Sequence, residues 1–114
     1  LSARHGTHHG LANALMLPDS MAFIEAANLT AAQLQRIQTI RTLFAEAGRP
    51  GDSLADETRT WFEELGIQFG LKNHGITADD LDPLADEAFA DPCHATNLIP
   101  VTRDDLATVY QSAL

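Results

Sequence analysis

Three histidines lie close together near the start of the chain, at His5, His8 and His9. Imidazole is the commonest metal ligand and the side chain that titrates nearest to neutral pH. Two imidazoles four residues apart on a helix share a face and can reach one ion, and His5 and His9 have that spacing. Gly6 and Thr7 between them disfavour a helix there. His8 and His9 are neighbours, so on a helix they point apart. Residue types alone therefore favour solvated terminal histidines over a metal role, since stable sites gather three or four ligands. Other chemistry is scarce. Cys93 is the single cysteine, so neither an intramolecular disulfide nor a Cys-x-x-Cys motif can form. The carboxylate pairs Glu63-Glu64, Asp79-Asp80 and Asp104-Asp105 read as helix first turns or polar faces rather than as acid–base catalysts. No glycine-rich turn following a strand is present to receive a pyrophosphate.

Helices must position these side chains, because every apolar repeat has helical spacing and no alternating run marks a strand. A first helix is expected from His8 or His9 to about Leu17. Pro18 disfavours helical backbone at Leu17, so a kink or restart belongs there. The next helix then carries Met21, Phe23 and Ile24 to about Ala27. Thr30-Ala-Ala-Gln33 is a capping box. It opens the strongest helix, whose Leu34, Ile37, Ile40, Phe44 and Ala47 share one face. Gly48 and Pro50 close it. Ser53-Leu-Ala-Asp56 opens another helix with Leu54, Trp61, Phe62 and Leu65 as its apolar side and Gly66 as its stop. Residues 67–76 contain Gly70, Asn73 and Gly75 and are expected to form an irregular connection.

Thr77 and Asp80 cap a helix that buries Leu81, Leu84, Ala88 and Phe89 and ends at Asp91-Pro92. Residues 92–101 form a loop holding Cys93, His94 and Asn97. Thr102 and Asp105 cap the last helix, with Leu106, Val109, Tyr110 and Ala113 inward. The expected fold is all-α: a compact bundle of about six short helices forming a single helical domain over residues 1–114.

A chain of 114 residues with 45% hydrophobic and 20% charged side chains can bury a real core. Its net charge of −9, with seven Lys and Arg, works against binding a nucleic-acid backbone or an anionic membrane surface. No apolar run approaches the roughly 18 residues that span a bilayer. The first ten residues lack the apolar core of a secretory signal. With the lone cysteine suiting a reducing compartment, a cytoplasmic setting is expected.

The stretch His8-His9-Gly10-Leu11-Ala12-Asn13-Ala14-Leu15-Met16-Leu17-Pro18 resembles one segment of the iron-containing (group III) alcohol dehydrogenases. That segment carries the family's last metal-binding histidine and is written His-Gly-x-x-Asn-Ala-x-x-Leu-Pro. A second stretch is Asp91-Pro92-Cys93-His94-Ala95-Thr96-Asn97, followed by Pro100-Val101-Thr102-Arg103-Asp104-Asp105-Leu106. It resembles the family's late Asp-x-Cys and Asn-Pro-Arg-x-Val-Thr-x-x-Asp-Leu signature, with Asn97-Leu98-Ile99 departing from Asn-Pro-Arg. Gly75-Ile76-Thr77-Ala78-Asp79-Asp80-Leu81 resembles a family helix cap that carries no chemistry.

The resemblance implies that His9 is a metal ligand. His8 stands where the family usually has proline, and it is not expected to bind. Asn13 falls on the Asn-Ala position and is expected to make a structural hydrogen bond at the helix start. The family's ion, iron(II) or zinc, is held by an aspartate and three histidines, and the enzyme uses NAD(P). The earlier ligands precede this histidine by a dozen residues or more, yet only eight residues precede His9. The expectation is a C-terminal, metal-site-contributing domain of an NAD(P)-dependent alcohol dehydrogenase, lacking the nucleotide-binding domain and inactive by itself. Such a chain would hold neither metal nor nicotinamide alone.

Cys93 would border the substrate if its loop lies as the family's does. The favoured reading is a small buried hydrophobe, with no neighbouring cation to make it a thiolate. Leu1 in place of an initiator methionine suggests a fragment or a trimmed chain. A second expectation is a non-catalytic binding or assembly module. It would form a homo-oligomer, or dock the missing domain, through Leu11, Leu15, Met16 and Leu17 of the first helix.

Overall fold

The computed structural model describes residues 1–114 and contains six α-helices and no strand. They are α1 (Ser2–His5), α2 (His9–Glu25), α3 (Ala31–Glu46), α4 (Leu54–Glu64), α5 (Leu81–Ala90) and α6 (Arg103–Ala113). Three 3₁₀ turns, Leu71–His74, Ala78–Asp80 and Pro92–Thr96, fill the connections. None of the helices is long and apolar enough to cross a membrane.

Side-chain chemistry starts these helices where local pattern places them. The Thr30 hydroxyl accepts from Gln33 N–H at 3.2 Å, and the Gln33 amide returns the bond to Thr30 N–H at 2.9 Å. Thr102 and Asp105 repeat the box at α6. At the turn leading into α5 the Asp80 carboxylate accepts from both the N–H and the hydroxyl of Thr77 at 2.8 Å. Each pair satisfies donors that a helix start leaves without partners. Helix α4 receives a cap from further away as well. The Glu25 carboxylate, at the end of α2, accepts from Leu54 N–H and Ala55 N–H at 3.0 and 2.9 Å. Negative charge at a helix N-terminus is favourable, so this contact fixes the end of α2 on the head of α4.

The expected break at Pro18 does not occur: α2 runs unbroken through it. Pro18 cannot donate to the carbonyl of Ala14, but its ring is among the most deeply buried groups of the chain. Helix α2 lies between α4 and α6, and packing on both sides keeps Leu17 helical against its local preference. The Asp19–Arg59 ion pair at 2.9 Å, with Arg59 seated 4.6 Å over the Phe69 ring, holds the same two helices together.

Leu15, Leu71, Ile76, Leu81, Leu84 and Ala113 form the core, gathered from α2, α5, α6 and the 67–76 segment. Residues 67–76 form the expected irregular connection, and they also reach the core, where Leu71 and Ile76 are 0% and 1% exposed. Three expectations are corrected here. The face of α3 is not core: only Ile37 is buried, whereas Leu34, Ile40 and Leu43 are 49%, 42% and 61% exposed. Trp61, Leu65 and Phe89 are also exposed. Phe89 instead stacks on His94, with ring centroids 4.9 Å apart. The first helix, expected to offer an apolar surface, turns it inward. Leu15 is 2% exposed, and Leu11 and Met16 pack against the core.

Candidate functional site

His5 and His9 end up on separate helices. His5 closes α1, Gly6 follows at φ 66° in the left-handed region, and His9 opens α2. Glycine takes that turn without a Cβ clash, and the helical register between the two imidazoles is lost. His5 is half-buried, with Nε2 3.7 Å from Asp80 Oδ1 and no hydrogen bond. His8 is the N-cap of α2: its Nδ1 accepts from Gly10 N–H at 3.2 Å. That role occupies one ring nitrogen of His8 and starts the helix at His9.

His9 is exposed at the head of α2. The Asn13 side-chain amide lies 3.3 Å from His9 Nε2, the donor of the pair being set by the imidazole tautomer and the orientation of the amide. Asn13 makes its hydrogen bond at the helix start with the His9 ring and not with the backbone, where His8 supplies the cap. Asn13 thereby orients the imidazole. Spacing of i and i+4 on a helix was the signal for this contact. The two side chains line a cleft of about 280 Å³ with Ser2, Met16 and Tyr110. Sequence reasoning missed Ser2, whose buried hydroxyl has no partner. It also placed Tyr110 only in the core. Burial, and then the charge of Glu87, raise the Tyr110 phenol above its usual 10.0.

No three His, Cys, Asp or Glu side chains of the chain converge as a metal cage. The donor set that His9 heads consists of one imidazole and an amide, which does not fit a complete site for a divalent ion. One member of each carboxylate pair has a structural role. Asp80 and Asp105 cap helices, and Glu64 pairs with Arg49.

Cys93 is exposed, not buried, because His94 is the residue that anchors its 3₁₀ turn, stacking on Phe89 with Nε2 3.0 Å from the Phe89 carbonyl. Cys93 N–H donates to Asp91 Oδ1 at 2.9 Å. A hydrogen bond with Asp91, and then its negative charge, raise the thiol above 9.0, so it stays protonated at neutral pH. The cleft around His9 does not include Cys93 among its walls.

Asp80 and Asp91 give the fold a defined acid sensitivity. Hydrogen bonds from the backbone and side chain of Thr77 hold Asp80 below the ordinary carboxylate value of 3.8. Bonds from the thiol and N–H of Cys93 do the same for Asp91. A carboxylate lowered on folding contributes stability above its unfolded value and loses it as pH falls through the lowered one. The urea midpoint is expected to hold from pH 7 to about pH 4 on this account and to fall below it. In Asp80→Asn the midpoint should start lower at pH 7 and show a shallower acid loss. An unchanged acid limb in that variant would remove Asp80 from the explanation.

An all-helical domain whose second helix presents an exposed histidine beside a cleft is the class of molecule that the fold defines. The comparisons give the class its family. The model described as "Fe-containing alcohol dehydrogenase family, C-terminal" matches residues 1–114, so the chain belongs to the iron-containing alcohol dehydrogenase family. It is 31% identical to the 4-hydroxybutyrate dehydrogenase of Cupriavidus necator over 98 residues, 85% of this chain and 25% of that protein. It is 28% identical to the lactaldehyde reductase of Escherichia coli K12 over 120 aligned residues, 99% of this chain and 30% of that protein. Alcohol dehydrogenase 4 of Saccharomyces cerevisiae is 24% identical over 106 residues, 92% of this chain and 27% of that protein. The chain thus spans less than a third of the length of these relatives. No solved structure matches it.

Proposed function

We propose that the chain is the C-terminal, metal-site-contributing domain of an NAD(P)-dependent alcohol dehydrogenase. In this reading His9 is one ligand of a divalent ion, iron(II) or zinc, and the remaining ligands and the nicotinamide cleft come from outside these residues. The observation that carries it is the exposed His9 imidazole, oriented by Asn13 at the head of α2, inside a motif of the family to which the chain belongs. One imidazole does not hold a divalent ion firmly against water. The chain is therefore inactive by itself, and Cys93 borders the substrate only in an assembled enzyme. A second reading, a non-catalytic module that self-associates, is favoured by the bare apolar face of α3.

A zinc titration followed by NMR tests the ligand assignment. Zinc should bind the isolated chain weakly, in fast exchange, with shifts centred on His9 and Asn13. His9→Ala should abolish those shifts, and His8→Ala should retain them. Shifts centred elsewhere, or tight one-to-one binding by a single copy, would overturn the assignment. A chimera carries the functional arm: residues 1–114 replace the matched segment of the Escherichia coli lactaldehyde reductase. It should bind one ion per chain, and His9→Ala should remove that ion.

A further inference from the structure

Helix α3 is sixteen residues long and buries one of them, Ile37. Against the rest of the domain it is held chiefly by α4. Phe44 packs edge-on against Trp61, with centroids 5.8 Å apart, and Gln33 Nε2 donates to the Leu98 carbonyl at 2.8 Å. Its outer side carries Ile40, Leu43 and Ala47, which line a groove of about 340 Å³ with Phe44, Arg49 and Trp61. An apolar strip of this kind on a strongly charged molecule marks a contact surface.

Charge selects the occupant. The chain has sixteen Asp and Glu residues, but between Ala26 and Gly51 only Glu46 is acidic. Two molecules of net charge −9 repel over most of their surfaces and least over this one. Helix α3 has three charged side chains. Arg41 is committed inside the chain, bonding Glu57 at 3.0 Å and the Gly51 carbonyl at 2.7 Å. Arg36 and Glu46 form no side-chain hydrogen bond or ion pair within the chain. They lie five residues either side of Arg41, and the apolar positions from Leu34 to Ala47 are centred beside Ile40. When α3 meets a second α3 antiparallel about a two-fold axis near Ile40, each strip faces its own image. Arg36 of each copy then comes level with Glu46 of the other. An isologous contact requires this kind of self-complementarity, with attractive charges fixing its register.

We propose that a second copy of this chain occupies the α3 face, forming an antiparallel α3–α3 homodimer with Arg36–Glu46 pairs across it. The proposal deepens the self-association reading by naming its surface, and it does not depend on His9 binding metal.

Sedimentation velocity over a concentration series tests it, with far-UV circular dichroism as the folding control. The wild-type chain should show a monomer–dimer equilibrium. Leu43→Glu, at a position 61% exposed, should leave helicity unchanged and give only monomer. Arg36→Glu and Glu46→Arg should each weaken the dimer by about tenfold, because each pair occurs twice across the axis. The combined Arg36→Glu, Glu46→Arg chain should regain wild-type affinity. A dimer that survives Leu43→Glu would leave self-association standing and overturn this face. A double swap no tighter than the single swaps would overturn the pairing. A wild-type chain that stays monomeric at every concentration would give the face to another partner and overturn the proposal.

Discussion

Replacing Arg41 with methionine should cost about 3–5 kcal/mol of folding stability, the range seen when one partner of a buried ion pair is removed. The Glu57 side chain is 2% exposed, and Arg41 Nε donates to its Oε1 at 3.0 Å. Gly51 N–H reaches the same oxygen at 3.3 Å, while Oε2 is buried with no partner at all. Removing the guanidinium leaves a charged carboxylate under the 48–53 loop with one weak donor. It also frees the Gly51 carbonyl, which Arg41 Nη2 holds at 2.7 Å. Urea denaturation reads the effect as a lower midpoint at unchanged slope. Substituting both partners, Arg41→Met with Glu57→Leu, should recover most of the loss, because no uncompensated charge then remains. A single substitution that costs less than about 1 kcal/mol would show the pair to behave as an exposed one.

Leu71→Ala should cost about 2–5 kcal/mol, as truncation of a fully buried leucine does when its surroundings cannot close the cavity. Leu71 is 0% exposed and lies in the core with Leu15, Ile76 and Leu84. Leu34→Ala, on the helix with the most regular apolar pattern, should change stability by no more than about 0.5 kcal/mol, because the side chain is half in solvent. Equal losses at the two positions, measured by the same denaturation, would contradict the burial described above. The comparison reverses the ranking that periodicity alone assigns.

That reversal shows which parts of the fold could be read from the chain. Helix starts were legible at Thr30, Ser53, Thr77 and Thr102, since a cap is a contact between residues two or three apart and needs no tertiary partner. Depth was not legible. Periodicity says that a helix has an apolar side, but the neighbour that covers it comes from remote parts of the chain. Ile37 is buried, whereas Ile40 and Leu43 on the same helix stay exposed. Leu71 and Ile76 sit among glycines and polar residues in a stretch too short for any period to show, so their burial left no local trace. Pro18 illustrates the opposite error, a strong local preference overruled by packing.

The candidate site divides in the same way. His9 was singled out by a family motif and not by its spacing from His5, which Gly6 makes meaningless. Its contact with Asn13 was available from spacing alone, but the expected helix-start hydrogen bond was left without a named partner. Cys93 looked buried because cysteine usually is. Its exposure follows from the Phe89–His94 stack, which anchors the turn by a different residue.

Because α2 passes through Pro18 without a joint, it acts as a strut of seventeen residues, about 25 Å from end to end at the usual helical rise. The imidazole sits at one tip, and the Glu25 carboxylate, clasping the first amides of α4, sits at the other. A rigid bar pinned at its far end turns as a unit, so a tug on the ring is felt as torque where the two helices join.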